Sequence, residues 1–159
     1  MYPFLRIMEV LDTVNPSDIL SNWRTLVGGK GQCLPDDEAA CGDGGPATAA
    51  QLIYPKGLAV SAGGVVTFAD GTPIRRIDER GVISTLISQH SQQFSTAKEI
   101  PCDGTVNLRD INLKWPVDLA VNPLDNSVYF TDDNIVMKIT GNQHLKVVAG
   151  RPLHCSRPR

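Results

Sequence analysis

Apolar and polar positions alternate along this chain in short runs. Segments of four to six residues rich in Val, Ile, Thr, Tyr and Phe are separated by clusters of Gly, Asp, Asn and Ser. A period of two, interrupted by turn chemistry, predicts β-strands and not amphipathic helices. The predicted strands are 57–60, 65–70, 74–78 and 82–87, then 118–121, 127–132, 135–140 and 145–149. The third, Ile74-Arg75-Arg76-Ile77, holds polar residues between apolar ends, which predicts a strand only partly buried.

The two sets of four are copies of each other. Cys41, Leu52, Pro55, Leu58, Ala59 and Val60 recur 61 positions later as Cys102, Leu113, Pro116, Leu119, Ala120 and Val121. After a one-residue slip, Phe68, Asp70 and Ile77 meet Phe130, Asp132 and Ile139 at a spacing of 62. A unit of four antiparallel strands repeated along the chain is a β-propeller blade, since a lone meander has two faces to cover and radial stacking covers both. Upstream, 23–28 matches the fourth strand, and 4–10 reads as the third strand of the same preceding blade. Residues 11–22 between them predict a long hairpin loop or a short helical turn near Pro16. The fold expected is all-β: a partial β-propeller of four-stranded antiparallel blades, about two and a half of them. The divisions are 1–28 (the last two strands of a preceding blade), 29–87 and 88–150 (a linker plus a blade each) and 151–159 (the start of the next linker). Propellers close with about 4–8 blades, so the length of 159 residues suits an arc of a larger ring.

Composition adds three points. Gly and Pro number 14 and 11, which suits many blade corners. Lys plus Arg is 15 against 17 for Asp plus Glu, so the chain lacks the basic face that nucleic acid needs. No apolar stretch reaches the length of a membrane-spanning helix, and the apolar start is interrupted by Arg6 and Glu9, unlike a signal peptide.

The linkers 29–54 and 88–115 are long for propeller connections, and loops of that length usually carry a function or are disordered. They hold the cysteines. Cys33 lies five residues after Gly28 and Cys155 five after Gly150, while Cys41 and Cys102 are equivalent across the repeat. The pairings that follow are Cys33–Cys41 and Cys102–Cys155. Four free buried thiols are the alternative, but polar Gly/Pro/Asp loops favour disulfides.

Residues 42–45, Gly-Asp-Gly-Gly, lead through Pro46-Ala47 and Leu52 to Pro55-Lys56-Gly57-Leu58-Ala59-Val60, which resembles the NHL-repeat signature. Gln32-Cys33-Leu34-Pro35, Asp70-Gly71-Thr72, Ile83-Ser84-Thr85-Leu86, Trp115-Pro116, Asn122-Pro123 and Ala149-Gly150-Arg151-Pro152 follow the order found in the teneurin family, a likeness running from about Trp23 to Cys155. The resemblance implies a large single-pass membrane protein with this region outside the cell. Its own transmembrane segment would be the only membrane contact, and it would carry EGF-like and YD-repeat regions elsewhere. The implied role is cell–cell adhesion and neuronal development, through homophilic contacts or latrophilin-type receptors.

Candidate chemistry is sparse. Gly42, Asp43, Gly44 and Gly45 lack the Lys-Ser/Thr ending of a phosphate loop, and a structural turn with Gly at positive φ is expected. Asp70, Asp132 and Asp133 end second strands. They offer oxygen ligands for Ca²⁺, although an Asp there more often caps a turn by accepting backbone N–H bonds. His90, His144 and His154 show no metal-ligand spacing, and His154 beside Cys155 would face away from it on a strand. Trp23 and Trp115 are expected to pack between blades or to anchor an interface. No catalytic, cofactor or metal residue is assigned. The function expected is non-enzymatic recognition, with linkers 29–51 and 88–112 exposed for contact. The alternative is a metalloenzyme of the propeller lyase or lactonase kind, which would need a metal or an acid/base cluster at the propeller axis.

Overall fold

A computed structural model describes residues 4–8, 23–29, 31–34, 41–89, 98–141 and 143–155. The expected loop 11–22, the last two residues of the run 4–10, His90, the Trp23 side chain and the final four residues lie outside the described residues. The strands are β1 (Phe4–Met8), β2 (Trp23–Gly28), β3 (Pro55–Val60), β4 (Val66–Asp70), β5 (Ile74–Ile77), β6 (Ile83–Ile87), β7 (Val106–Asn107), β8 (Pro116–Val121), β9 (Val128–Asp132), β10 (Ile135–Thr140) and β11 (His144–Ala149). There is no α-helix among the described residues.

The strands form three antiparallel sheets: β1-β2, β3-β4-β5-β6 and β7-β11-β10-β9-β8. The molecule is a partial propeller, with two consecutive blades preceded by the two-stranded sheet β1-β2. In each complete blade the first strand carries a bulge at the same place, between Pro55 and Leu58 in β3 and between Val117 and Leu119 in β8. Gly57 and its repeat counterpart Asp118 sit at these bulges. They meet across the joint, where a Cβ on Gly57 would lie 2.8 Å from the Asp118 amide nitrogen.

The core lies between blades. One cluster joins Ala69, Ile74 and Ile87 of the first blade to Phe130, Ile135, Met137 and Leu145 of the second. Another joins Val27 of β2 and the linker residues Ala47, Ala50 and Leu52 to Phe68, Ile77 and Ile83. The β3-β4-β5-β6 sheet is therefore covered on both faces. This corrects the expectation of a partly buried third strand: Ile74, Arg75 and Ile77 are all buried and Arg76 alone is exposed.

The linkers are also more ordered than expected. Val106 and Asn107 pair with Leu145 and His144 as a fifth strand. In the first blade Gly45 and Pro46 take the same place beside Ile83 and Val82. A 3-10 turn follows each segment, Ala47–Ala49 and Leu108–Asp110. These are repeat equivalents, so the repeat reaches back into the linkers. Ala47, Ala50, Val106, Leu108 and Ile111 are buried, and only parts of 29–51 and 88–112 face solvent.

Candidate recognition face

The chain enters each blade at the same end, and the polar groups there hold the entry in place. Asp70 at the end of β4 accepts the Ile53 and Tyr54 N–H groups at 2.9 and 2.8 Å. Asp132 at the end of β9 does the same for Lys114 and Trp115, at 3.1 and 2.6 Å. These carboxylates satisfy backbone donors that have no strand partner, which is the turn-capping role. Asp133 instead makes an exposed ion pair with Lys114 at 2.9 Å.

In the first blade a buried arginine strengthens this arrangement. Arg75 donates to Asp70 at 3.2 Å, Asp43 at 2.9 Å, and the carbonyls of Gln51 and Cys41 at 2.8 and 3.3 Å. The second oxygen of Asp43 accepts the Thr85 N–H at 2.6 Å. Burial pushes the Asp70 carboxyl above the ordinary carboxylate range, against the N–H bonds from Ile53, Tyr54 and Arg75. Gly42 and Gly44 stand at φ +92° and +83°, the left-handed geometry only Gly adopts freely. Gly44 and Gly45 then exchange backbone bonds with Ile83. Residues 42–45 are thus both a turn and, through Asp43, an ion-pairing element. Asp43 sits amid glycines and Arg75 inside an alternating strand, so only the 61- and 62-residue spacings, read for charge, would have matched them.

The cysteines are joined as Cys33–Cys41 and Cys102–Cys155, with Cα separations of 5.4 and 5.7 Å. Their surroundings differ. Cys33 and Cys41 are buried, whereas Cys102 is exposed. His144 begins β11. His154 lies 3.6 Å from Glu99, and its ring nitrogen is within 4.8 Å of the Cys102 and Cys155 sulfurs. The expectation that His154 and Cys155 face apart is corrected, because 153–155 is a turn to which strand alternation does not apply.

Above this scaffold the two blades present an aromatic ledge. Tyr54 and Trp115 occupy the same position in successive repeats, immediately before β3 and β8. They meet across the joint with ring centroids 6.1 Å apart and remain 58% and 52% exposed. Trp115 thus packs across the joint between blades, against Tyr54 and Lys56, while half of its surface stays open. Lys56 places its ammonium 3.4 Å from the Trp115 ring centroid. The nitrogen is shut off from solvent and has no hydrogen-bond partner. Burial holds its pKa below the ordinary lysine value, while the charges of Asp132 and Asp70 pull it back up. A separate groove of about 510 Å³ is lined by the polar Lys98, Lys114 and Asp132 and the apolar Ile100, Ile135 and Leu153.

Comparison with known proteins decides the family. A family model described as the teneurin NHL domain matches residues 4–159, taking in β1 and β2 as well as both blades. The chain belongs to the teneurin NHL domain family. Similar relatives are Teneurin-3 of Danio rerio, 45% identical over 153 residues, and Teneurin-m of Drosophila melanogaster, 46% identical over 151. Teneurin-4 of Homo sapiens is 44% identical over 153 residues. These alignments cover 95–96% of this chain and about 6% of each relative. Among the described residues no helix is long and apolar enough to cross a membrane.

Proposed function

We propose that this teneurin segment is a non-enzymatic recognition module on the extracellular side of the plasma membrane. Its parent protein, anchored by a transmembrane segment of its own, acts in cell–cell adhesion and neuronal development. Each linker-plus-blade unit, 29–87 and 88–150, supplies one half of a rigid contact face. Two disulfides support an oxidising compartment, since such bonds are rare in reducing cytosol. The observation that carries the reading is the Tyr54–Trp115 ledge. Large aromatics left half-exposed on a rigid frame are the side chains that dominate binding energy at protein interfaces. The partner is a protein, either a second teneurin or a latrophilin-type receptor.

The test uses the full-length parent protein on cells. Trp115→Ala and Tyr54→Ala should each weaken aggregation of expressing cells at equal surface level, by the tenfold or more in affinity that loss of an aromatic anchor brings. Mixing expressing cells with receptor-bearing or plain cells separates the two partner types. Unchanged aggregation in both mixtures would sink the proposal.

A further inference from the structure

The two disulfides are chemically unequal. Cys33 and Cys41 are 4% and 3% exposed, out of reach of an attacking thiolate. Cys102 is exposed, and its bond to Cys155 has His154 beside it, with each pair of ligand atoms among the three residues within 4.8 Å. Glu99, three residues before Cys102, brings Oε2 to 3.6 Å from His154 Nε2. The turn that presents His154 is closed by the Cys155 N–H bonding to the Pro152 carbonyl at 2.9 Å. Two sulfurs and one imidazole thus converge from two short segments, with the Glu99 carboxylate beside the imidazole. Among the described residues no other His, Cys, Asp and Glu side chains form such a group.

We propose that reduction of Cys102–Cys155 turns this corner into a binding site for Zn²⁺, with the Cys102 and Cys155 thiolates and His154 as ligands and Glu99, which moves in from beside His154, supplying one oxygen as the fourth. With Zn–S and Zn–N bonds of about 2.3 and 2.0 Å, a tetrahedral shell needs ligand atoms about 3.3–3.8 Å apart. His154 is therefore already within about 1 Å of its place. The sulfurs must part from about 2.0 Å to about 3.8 Å, which breaking their bond permits. The reductant is a dithiol. Its thiolate attacks the sulfur of Cys102, the exposed residue of the pair, the S–S bond breaks, and Cys155 leaves as a thiolate with the electron pair. The second thiolate of the reductant then attacks the mixed disulfide, frees Cys102 and closes its own disulfide. Two electrons pass to the cystine, and the two dithiol protons go to solvent as both cysteine thiolates take up Zn²⁺.

The experiment uses the whole chain. After limited dithiol treatment and removal of the reductant, alkylation with mass mapping should label Cys102 and Cys155 and spare Cys33 and Cys41. Titration with Zn²⁺ alone should then show one equivalent bound, and none before reduction. Co²⁺ in its place should give a thiolate charge-transfer absorption. His154 and Glu99 are exposed, so His154→Ala and Glu99→Gln leave the fold in place. The first should weaken Zn²⁺ binding more than about tenfold and the second by about tenfold, as losing a ligand or its support does. The proposal is overturned by equal labelling of all four cysteines, by equal binding before and after reduction, or by unaltered affinity in His154→Ala.

Discussion

Arg75 and Asp43 form an ion pair at 2.9 Å although 32 residues separate them. One lies in the third strand of a blade, the other in the linker that precedes it. The pair fastens the disulfide-bearing linker to the sheet, because the same guanidinium also holds the Cys41 carbonyl. The second blade solves the problem differently. Its counterpart of Arg75 is the buried Met137, and its counterpart of Asp43 is Gly104. The acid and the base are present together in one repeat and absent together from the other. A lone buried charge would be costly in either place.

Arg75→Met, which copies the second blade at one position only, should destabilise the chain by about 3–5 kcal/mol, the usual effect of orphaning a buried charge partner. Adding Asp43→Asn keeps the acceptor for the Thr85 N–H and removes one of the two stranded charges, leaving Asp70 with its N–H bonds from Ile53 and Tyr54. The double variant should lose at least about 1 kcal/mol less than the sum of the single ones. Urea unfolding of the four proteins measures this coupling, and strict additivity would show that the pair does not act as a unit.

The strand series, the blade repeat and the family were legible because they rest on alternation, turn residues and identities at fixed spacing. The buried Arg75 was not. In an alternating strand an arginine signals a solvent face, and only a blade packed on both sides reverses that. The fifth strand at Val106–Asn107 was hidden for another reason: Gly45-Pro46 and Val106-Asn107 share a backbone role and no side-chain chemistry. The ledge is half legible, since the sequence marks Trp115 as an interface anchor but gives its repeat partner Tyr54 no such signal.

The disulfides differ in the chain they close, with sequence separations of 8 and 53. Loop-closure entropy gives about 2.5 kcal/mol for the shorter and about 4 kcal/mol for the longer. Replacing Cys102 and Cys155 with Ser should therefore lower stability more than replacing Cys33 and Cys41. Thermal melts of the two double variants decide it, and the reverse order would mean that native packing around the buried bond outweighs chain entropy.

Lys56 carries a buried nitrogen with no hydrogen-bond partner, and its pKa is lowered by that burial. A lysine whose folded pKa is depressed makes the fold more stable as pH rises through the interval below its ordinary 10.5. Lys56→Met removes the desolvation cost and keeps a side chain that packs on the Trp115 ring, a contact of about 0.3–1.5 kcal/mol. Met here should raise the melting temperature at neutral pH and flatten the alkaline rise. A fall in melting temperature would show that the cation–ring attraction outweighs desolvation.

Asp125 holds the turn between β8 and β9. Its carboxylate accepts the Ser127 hydroxyl at 2.5 Å, the Ser127 N–H at 3.0 Å and the Lys138 ammonium at 3.2 Å. The Ser127 hydroxyl bond first, then the others, lower its pKa from 3.8 to about 2. The stabilisation is complete above 3.8 and is lost as pH falls towards about 2. Asp125→Asn should remove that part of the acid-side slope and leave the rest of the profile in place. An identical acid profile in the variant would show that the turn contributes nothing.

Gly57 tests the joint itself. The nearest atoms to a Cβ there belong to the Asp118 backbone, at 2.8 and 3.1 Å, and backbone of a neighbouring strand cannot swing aside as a side chain can. Gly57→Ala must push β3 away from β8, which overpacking costs put at about 1–3 kcal/mol. Gly63, in the turn after β3, is the internal control. A Cβ there meets nothing nearer than the Glu79 carboxylate at 3.8 Å, so Gly63→Ala should change stability by less than about 0.5 kcal/mol. Because the strain falls between blades, Gly57→Ala should also speed amide exchange in both β3 and β8. Exchange confined to β3 would mean that the first blade yields alone, and that β3 and β8 are not held as one unit.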